Sequence, residues 1–96
     1  MATLHFAPRA SQDLIDLHDF IARDKPLAAL HWIDKIEQKC VAISVNPALG
    51  EASPALGLNV RRSFLGRYII YYRTLADGID VLRIVAGDRD FQSLEQ

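Results

Sequence analysis

The apolar positions change period along the chain, and each change predicts a new element. Residues 3–7 (Thr-Leu-His-Phe-Ala) alternate weakly, as a short strand does. Pro8 suits the first turn of a helix, where its missing N–H costs nothing. Ala10, Leu14, Leu17 and Ile21 then recur at steps of four, three and four, which makes one apolar helical face. Asp13, Asp16 and Asp19 fall largely on the other side and read as a solvated face. This helix should end near Arg23, because Lys25 precedes Pro26 and is pushed out of the α region. A second helix starts at Asp24 or Pro26. Its stripe of Ala29, Ile33, Ile36, Cys40 and Ile43 is the clearest periodic signal in the chain, and it stops at Asn46-Pro47. The loop PALGEASPALG follows, with no regular structure expected of it.

Three strands are expected next: Val60–Leu65, Tyr68–Leu75 and Ile79–Ala86. Gly66-Arg67 can form a two-residue turn, and Ala76-Asp77-Gly78 a three-residue hairpin loop with Gly in the left-handed site. The tail DRDFQSLEQ can add a last helical turn. The element order β-α-α-β-β-β describes an α+β fold, a helical hairpin packed on one face of a small, mainly antiparallel sheet. Residues 1–96 read as a single domain, with no repeat or linker.

The two loops set a register. Arg73 would lie opposite Val81, Tyr71 opposite Arg83, and Ile69 opposite Val85. Phe64 would lie opposite Ile69, Arg62 opposite Tyr71, and Val60 opposite Arg73. One sheet face then carries Val60, Arg62, Phe64, Ile69, Tyr71, Arg73, Val81, Arg83 and Val85. The other carries Ile70, Tyr72, Leu82, Ile84 and Ala86 and should receive the helices. A face mixing Phe, Tyr, Val and Arg has the composition of a protein interface. The plainer alternative is that arginine stems lie over a small apolar patch.

Bulk composition narrows the function classes. At 96 residues the chain buries only about two-thirds of its unfolded surface, so its stability is modest unless a partner adds area. Net charge is -1, which argues against a general polyanion binder, and no direct sequence-specific nucleic-acid binding is expected. All three lysines lie in the first half, whereas every basic group from residue 57 onward is an arginine. One cysteine cannot form an internal disulfide, which fits a reducing cytosol. No signal-peptide pattern and no apolar run of ~20 residues is present, so a cytoplasmic protein without membrane contact is expected.

The segment NVRRSFLGRYIIYYRTLADGIDVLRIVAGDRDF resembles the ParE branch of the RelE/ParE toxin superfamily. The likeness runs through an arginine strand, a Gly-Arg-Tyr turn, a hydrophobic strand ending in Tyr-Arg, a short acidic loop and a strand ending in Leu-Arg. The first half agrees in Ala7-Pro8, Asp13-Leu14, the Pro26 break, Ala29, and Asn46-Pro47 before Gly50. The order and spacing together carry the resemblance. It implies a RelE/ParE-like fold and the toxin half of a type II toxin–antitoxin module of the plasmid-stabilisation kind. ParE-branch toxins act on DNA gyrase; RelE-branch toxins cut messenger RNA on the ribosome. The fold itself does not choose between them. Where many relatives read His-Gly-x-Arg-Asp, this chain has Ala86-Gly87-Asp88-Arg89-Asp90.

Cleavage of RNA by its 2′-hydroxyl needs a general base, a general acid and cationic support for the phosphate. This chain has no lysine after Lys39, no tyrosine after Tyr72 and no histidine after His31. Arginine supports phosphate charge but shuttles protons poorly, since its pKa exceeds ~12. The expectation is therefore a non-enzymatic toxin that poisons gyrase, arrests growth and forms a hetero-oligomer with a ParD-like antitoxin. The alternatives are a ribosome-dependent endoribonuclease and an inactive toxin fold kept as a binding module. Arg61, Arg83 and Arg89 are the expected target contacts. Arg62, Phe64, Tyr71, Arg73, Val81 and Trp32 are the expected antitoxin contacts, with Trp32 either in a partner groove or packed on Phe20. No cofactor or metal is expected: His5, His18, His31 and Cys40 form no ligand spacing, and Cys40 falls on the apolar stripe.

Overall fold

The structure is a computed structural model that describes residues 2–87. Strand β1 spans Thr3–Phe6, helix α1 Pro8–Ala22 and helix α2 Pro26–Val45. Strands β2 (Glu51–Ala52), β3 (Val60–Leu65), β4 (Tyr68–Leu75) and β5 (Gly78–Ala86) follow. Both helices begin with proline at their first turn, and each stops within a residue or so of the expected place. The tail and its expected helical turn lie outside the described residues.

The sheet has the order β1-β5-β4-β3-β2, with β1 parallel to β5 and the other pairs antiparallel. The loop expected to be irregular instead holds two single-turn 3-10 helices, Pro47–Leu49 and Pro54–Leu56, with β2 between them. Strand β2 is an edge strand of two residues that pairs Glu51 with Arg62 and Ala52 with Arg61. Pairing that short has no period to read, which is why the sequence conceals it.

The core lies between the helices and one sheet face. Ala29, Ile36, Cys40 and Ile43 of α2 are fully buried, as their spacing requires. Ala10 of α1 is fully buried, and Leu14, Leu17 and Ile21 pack against the same cluster. From the sheet come Tyr68, Ile70, Tyr72, Ile79, Val81 and Ile84.

The β3–β4 hairpin follows the expected register, closed by Gly66-Arg67 with Gly66 at φ 60°. The β4–β5 hairpin corrects the expectation at its tip. Leu75 pairs with Gly78, so the loop has two residues, Ala76 and Asp77. The register then shifts: Tyr72 faces Val81, while Tyr71 faces Arg83. Leu82 is the extra residue, half-buried in a β-bulge. A two-residue loop plus a one-residue bulge gives the same offset as a three-residue loop. The pairs Tyr71–Arg83 and Ile69–Val85 are therefore as expected, whereas Arg73 lies opposite Asp80 and not Val81. Val81 consequently moves to the helix-facing side, where it is fully buried.

Gly78 explains how β1 joins. A Cβ at that position would collide with the backbone of Thr3. Thr3 donates its N–H to the Asp77 carbonyl at 2.8 Å and its hydroxyl to the Asp77 carboxylate at 2.7 Å.

Candidate functional site

Strand β1 stops early, and this leaves the second half of β5 without a strand neighbour on that side among the described residues. The last parallel pair is Phe6–Val81, after which Pro8 starts α1. Asp13 on α1 takes over at that edge. One of its carboxylate oxygens accepts the Ile84 N–H at 2.9 Å, and the two oxygens accept Arg83 Nε at 2.8 Å and an Arg83 Nη at 3.1 Å. Both side chains are largely buried. A bidentate pair of this kind orients a guanidinium tightly. The solvated reading of Asp13 is thus overturned. The signal for it was present: Asp13 lies three residues after Ala10 and four before Leu17, inside the apolar stripe, where a carboxylate needs a partner. Beside this clamp runs a groove of about 400 Å³ between α1 and β5, whose walls include Asp16, Phe20, Tyr68 and Val85.

A second clasp holds the loop after α2. The Tyr72 hydroxyl donates to the Pro47 carbonyl at 2.6 Å and accepts the Gly50 N–H at 2.9 Å. Arg61 donates to the Gly50 carbonyl at 2.6 Å. Burial raises the Tyr72 pKa, against the opposing pull of the Gly50 N–H and the Arg61 charge. A Cβ on Gly50 would strike the Tyr72 hydroxyl, so glycine is required there for close approach.

The outer sheet face is built from β3 and β4. Arg62 pairs with Glu51 at 2.8 Å and lies 5.7 Å from the Phe64 ring centre, in cation–π range. The Glu51 hydrogen bond raises the Arg62 pKa foremost; burial opposes it and Tyr71 adds to it. Phe64 is 49% exposed, and Arg73 is exposed on the same face. Tyr71, expected to be an accessible contact, is 1% exposed. It belongs to a small cluster with Ile69 and Val85, against which Leu56 packs from the Pro54–Leu56 turn. Val81 is on the opposite face altogether. Of the expected antitoxin contacts, Arg62, Phe64 and Arg73 stand together at the surface, while Tyr71 and Val81 are interior.

Trp32 is partly buried against the main core. Its ring packs edge-to-face on Tyr68, with centroids 5.3 Å apart and planes at 69°, and Lys35 lies over it at 5.3 Å. It therefore braces α2 against the Gly66 turn, where a Cβ would meet the indole at 3.2 Å. Of the three arginines expected to meet a target, the two among the described residues serve separate structural contacts. Arg61 serves the Gly50 clasp, Arg83 serves the Asp13 clamp, and Arg89 lies outside the described residues.

His5 pairs with Asp80 at 2.7 Å and His18 with its neighbour Asp19 at 3.2 Å. Among the described residues no three His, Cys, Asp or Glu side chains are placed to hold a metal ion. Burial, followed by the charge of Glu37, pushes the Cys40 thiol up to about 12. No helix among the described residues is long and apolar enough to cross a membrane.

Comparison with known proteins completes the picture. Residues 4–91 match the family model for the ParE toxin of the type II toxin–antitoxin system parDE. Among curated proteins, none matches the chain. A solved structure described as the chromosomal ParDE TA system from P. aeruginosa is similar at a TM-score of 0.75 and 22% identity, covering 90% of this chain and 96% of that one. That likeness extends over strands and helices alike and speaks for the fold. With the family model spanning nearly the whole sequence, the chain belongs to the ParE toxin family of type II toxin–antitoxin systems.

Proposed function

We propose that this toxin acts by binding DNA gyrase, without catalysis of its own, and that a cognate ParD-like antitoxin neutralises it in a hetero-oligomer. Membership of the ParE family is the observation that carries this reading. The arginines support it. Those a ribonuclease would aim at phosphate are committed instead: Arg61 to Gly50, Arg62 to Glu51 and Arg83 to Asp13. No lysine follows Lys39 and no histidine follows His31, so the arginines of the second half have neither of those proton-transfer groups near them in sequence. The proposed antitoxin contacts are Arg62, Phe64 and Arg73, with Trp32 at the margin. A disordered acidic tail folding onto such a surface would pair its carboxylates with the arginines. Arg61, Arg83 and Arg89 remain the proposed target contacts, and the first two would have to exchange a structural acceptor for one on gyrase.

The test is purified toxin added to gyrase and supercoiled plasmid. The expected result is accumulation of cleaved plasmid that remains bound to gyrase after protein denaturation, and no cleavage of a translated message by primer extension. Codon-aligned cuts in the message that vanish in Arg61→Ala or Arg83→Ala would replace this reading with the ribonuclease. Inactivity in both assays, with normal growth of cells expressing the toxin alone, would leave an inactive binding module.

A further inference from the structure

A net charge of -1 conceals a division of charge between the two flanks of α2. Ala28, Trp32, Lys35 and Lys39 recur at steps of four, three and four, so they share one flank of the helix. That flank is turned toward the β3–β4 hairpin: Trp32 packs on Tyr68, and a Cβ on Gly66 would meet its indole at 3.2 Å. Glu37 belongs to the opposite flank, where it lines a groove against α1 together with Ile33, Ile15 and Asp19. Asp34, the other acid of α2, is exposed and accepts a hydrogen bond from Gln38 one turn on.

Strand β3 adds a third cation on the same side. Arg61 points to the helix side of the sheet, because it is the register partner of the core residue Tyr72. Trp32 sits at the Gly66 end of β3, and the loop after α2 reaches the other end, where Tyr72 and Arg61 hold Gly50. Lys35 and Lys39 are thus strung between the hairpin turn and Arg61, about 6 Å apart along the helix axis. Among the described residues none of the three is paired with a carboxylate. Lys35 lies over the Trp32 ring, and Arg61 donates to a neutral carbonyl. Glu51, on the neighbouring strand, is bound to Arg62. The exposed apolar side chains of α2, Leu27, Leu30, Val41 and Val45, stand at other positions of the helix. Lysines without an apolar anchor are the reverse of a protein interface, where lysine is depleted. A row of uncompensated cations suits a phosphate backbone.

We propose that this basic edge, formed by Lys35, Lys39 and Arg61, contacts the phosphate backbone of the duplex DNA held by gyrase while the toxin is bound to the enzyme. The inference rests on the gyrase reading above. Attachment to gyrase supplies a high effective concentration of DNA, so a few ionic contacts suffice, and a chain of net charge -1 needs no affinity for free DNA. Such a contact is blind to base sequence, since phosphates carry none of it. Arg61 can join without releasing Gly50, because one Nη serves that carbonyl and a guanidinium has further N–H groups.

Fluorescence anisotropy of labelled full-length toxin, titrated with gyrase alone and with gyrase holding a DNA duplex, tests it. Wild type is expected to bind gyrase–DNA more tightly than gyrase alone. Lys35→Glu/Lys39→Glu should bind gyrase alone as wild type does and gyrase–DNA about tenfold more weakly, with the slope of log affinity against log salt reduced by about 2. Lys35→Gln alone, at an exposed site, should reduce that slope by about 1, and Lys35→Arg/Lys39→Arg should keep the gain from DNA. Equal affinity of the charge-reversed variant and wild type for gyrase–DNA would overturn the proposal. So would an equal loss on gyrase alone, which would make the flank a protein contact. A variant that loses affinity for the antitoxin while its gain from DNA is intact would seat an acidic peptide there and equally refute it. Failure of wild type to bind gyrase in either form would remove the gyrase reading, and this proposal with it.

Discussion

At the scale of single residues, Asp13 ties helix α1 to strand β5. It caps one backbone N–H at the β5 edge and holds Arg83 by two hydrogen bonds. Removing the carboxylate strands a largely buried guanidinium and an edge N–H together. Asp13→Ala is expected to destabilise the protein by about 2 kcal/mol, within the range for losing charge-assisted bonds from a partly buried site. Urea titration measures this, and a loss below about 0.5 kcal/mol would mean that solvent replaces the carboxylate at little cost. Cys40 makes a prediction about pH. Its thiol rises from the ordinary 9.0 to about 12 in the folded chain. A folded pKa above the unfolded one means a contribution fully present below pH 9 and lost as pH climbs toward 12. Stability should therefore fall across that window by up to about 1.4 kcal/mol per pH unit from this group. Cys40→Ala, compared with wild type by denaturation at successive pH values, should show a shallower alkaline slope. Equal slopes would remove Cys40 from the account.

At the scale of elements, the chain meets two competing demands in β5. Ile79 and Val81 must face the helices, and so must Ile84 and Ala86, which puts the apolar spacing at two, three and two. A strand without a bulge would turn one of these pairs to the wrong face, because side chains alternate strictly. The extra residue at Leu82 resolves the conflict. That spacing was legible in the sequence, but the offset of a three-residue loop is identical and masks it. The parallel strand β1 depends on Gly78. Gly78→Ala forces a methyl group into the Thr3 backbone, and overpacking of this kind costs about 1–3 kcal/mol. The expected signature is local: amide protection of Thr3 and Ala7, which donate to Asp77 and Val81, should drop before that of the β3–β4 hairpin. Uniform loss of protection across the sheet would show that β1 is not a separable unit.

At the scale of the whole molecule, a short chain has put much of its charge to structural use. Arg61, Arg62 and Arg83 each bridge one element to another, while Phe64 and Arg73 are exposed on the outer sheet face. Phe64→Ala and Arg73→Glu should each weaken antitoxin binding by more than about 1 kcal/mol in calorimetry, with unchanged melting of the isolated toxin. Wild-type affinity in both variants would move the antitoxin to another surface, such as the groove between α1 and β5.

What the sequence determined by itself is what local periodicity set, and one of the two hairpin turns. Two helices follow from steps of three and four, and their ends follow from Pro8, Pro26 and Pro47. The β3–β4 register follows from a Gly-Arg turn, and the α+β order from the succession of periods. Only the tertiary structure decided what depends on residues meeting across the chain. Asp13 and Arg83 are 70 residues apart, and no local pattern pairs them. Val81 changed faces because two loop solutions share one offset. Tyr71, polar and aromatic at an outward position, became interior because burial depends on what covers a face, and alternation along a strand says only which face that is.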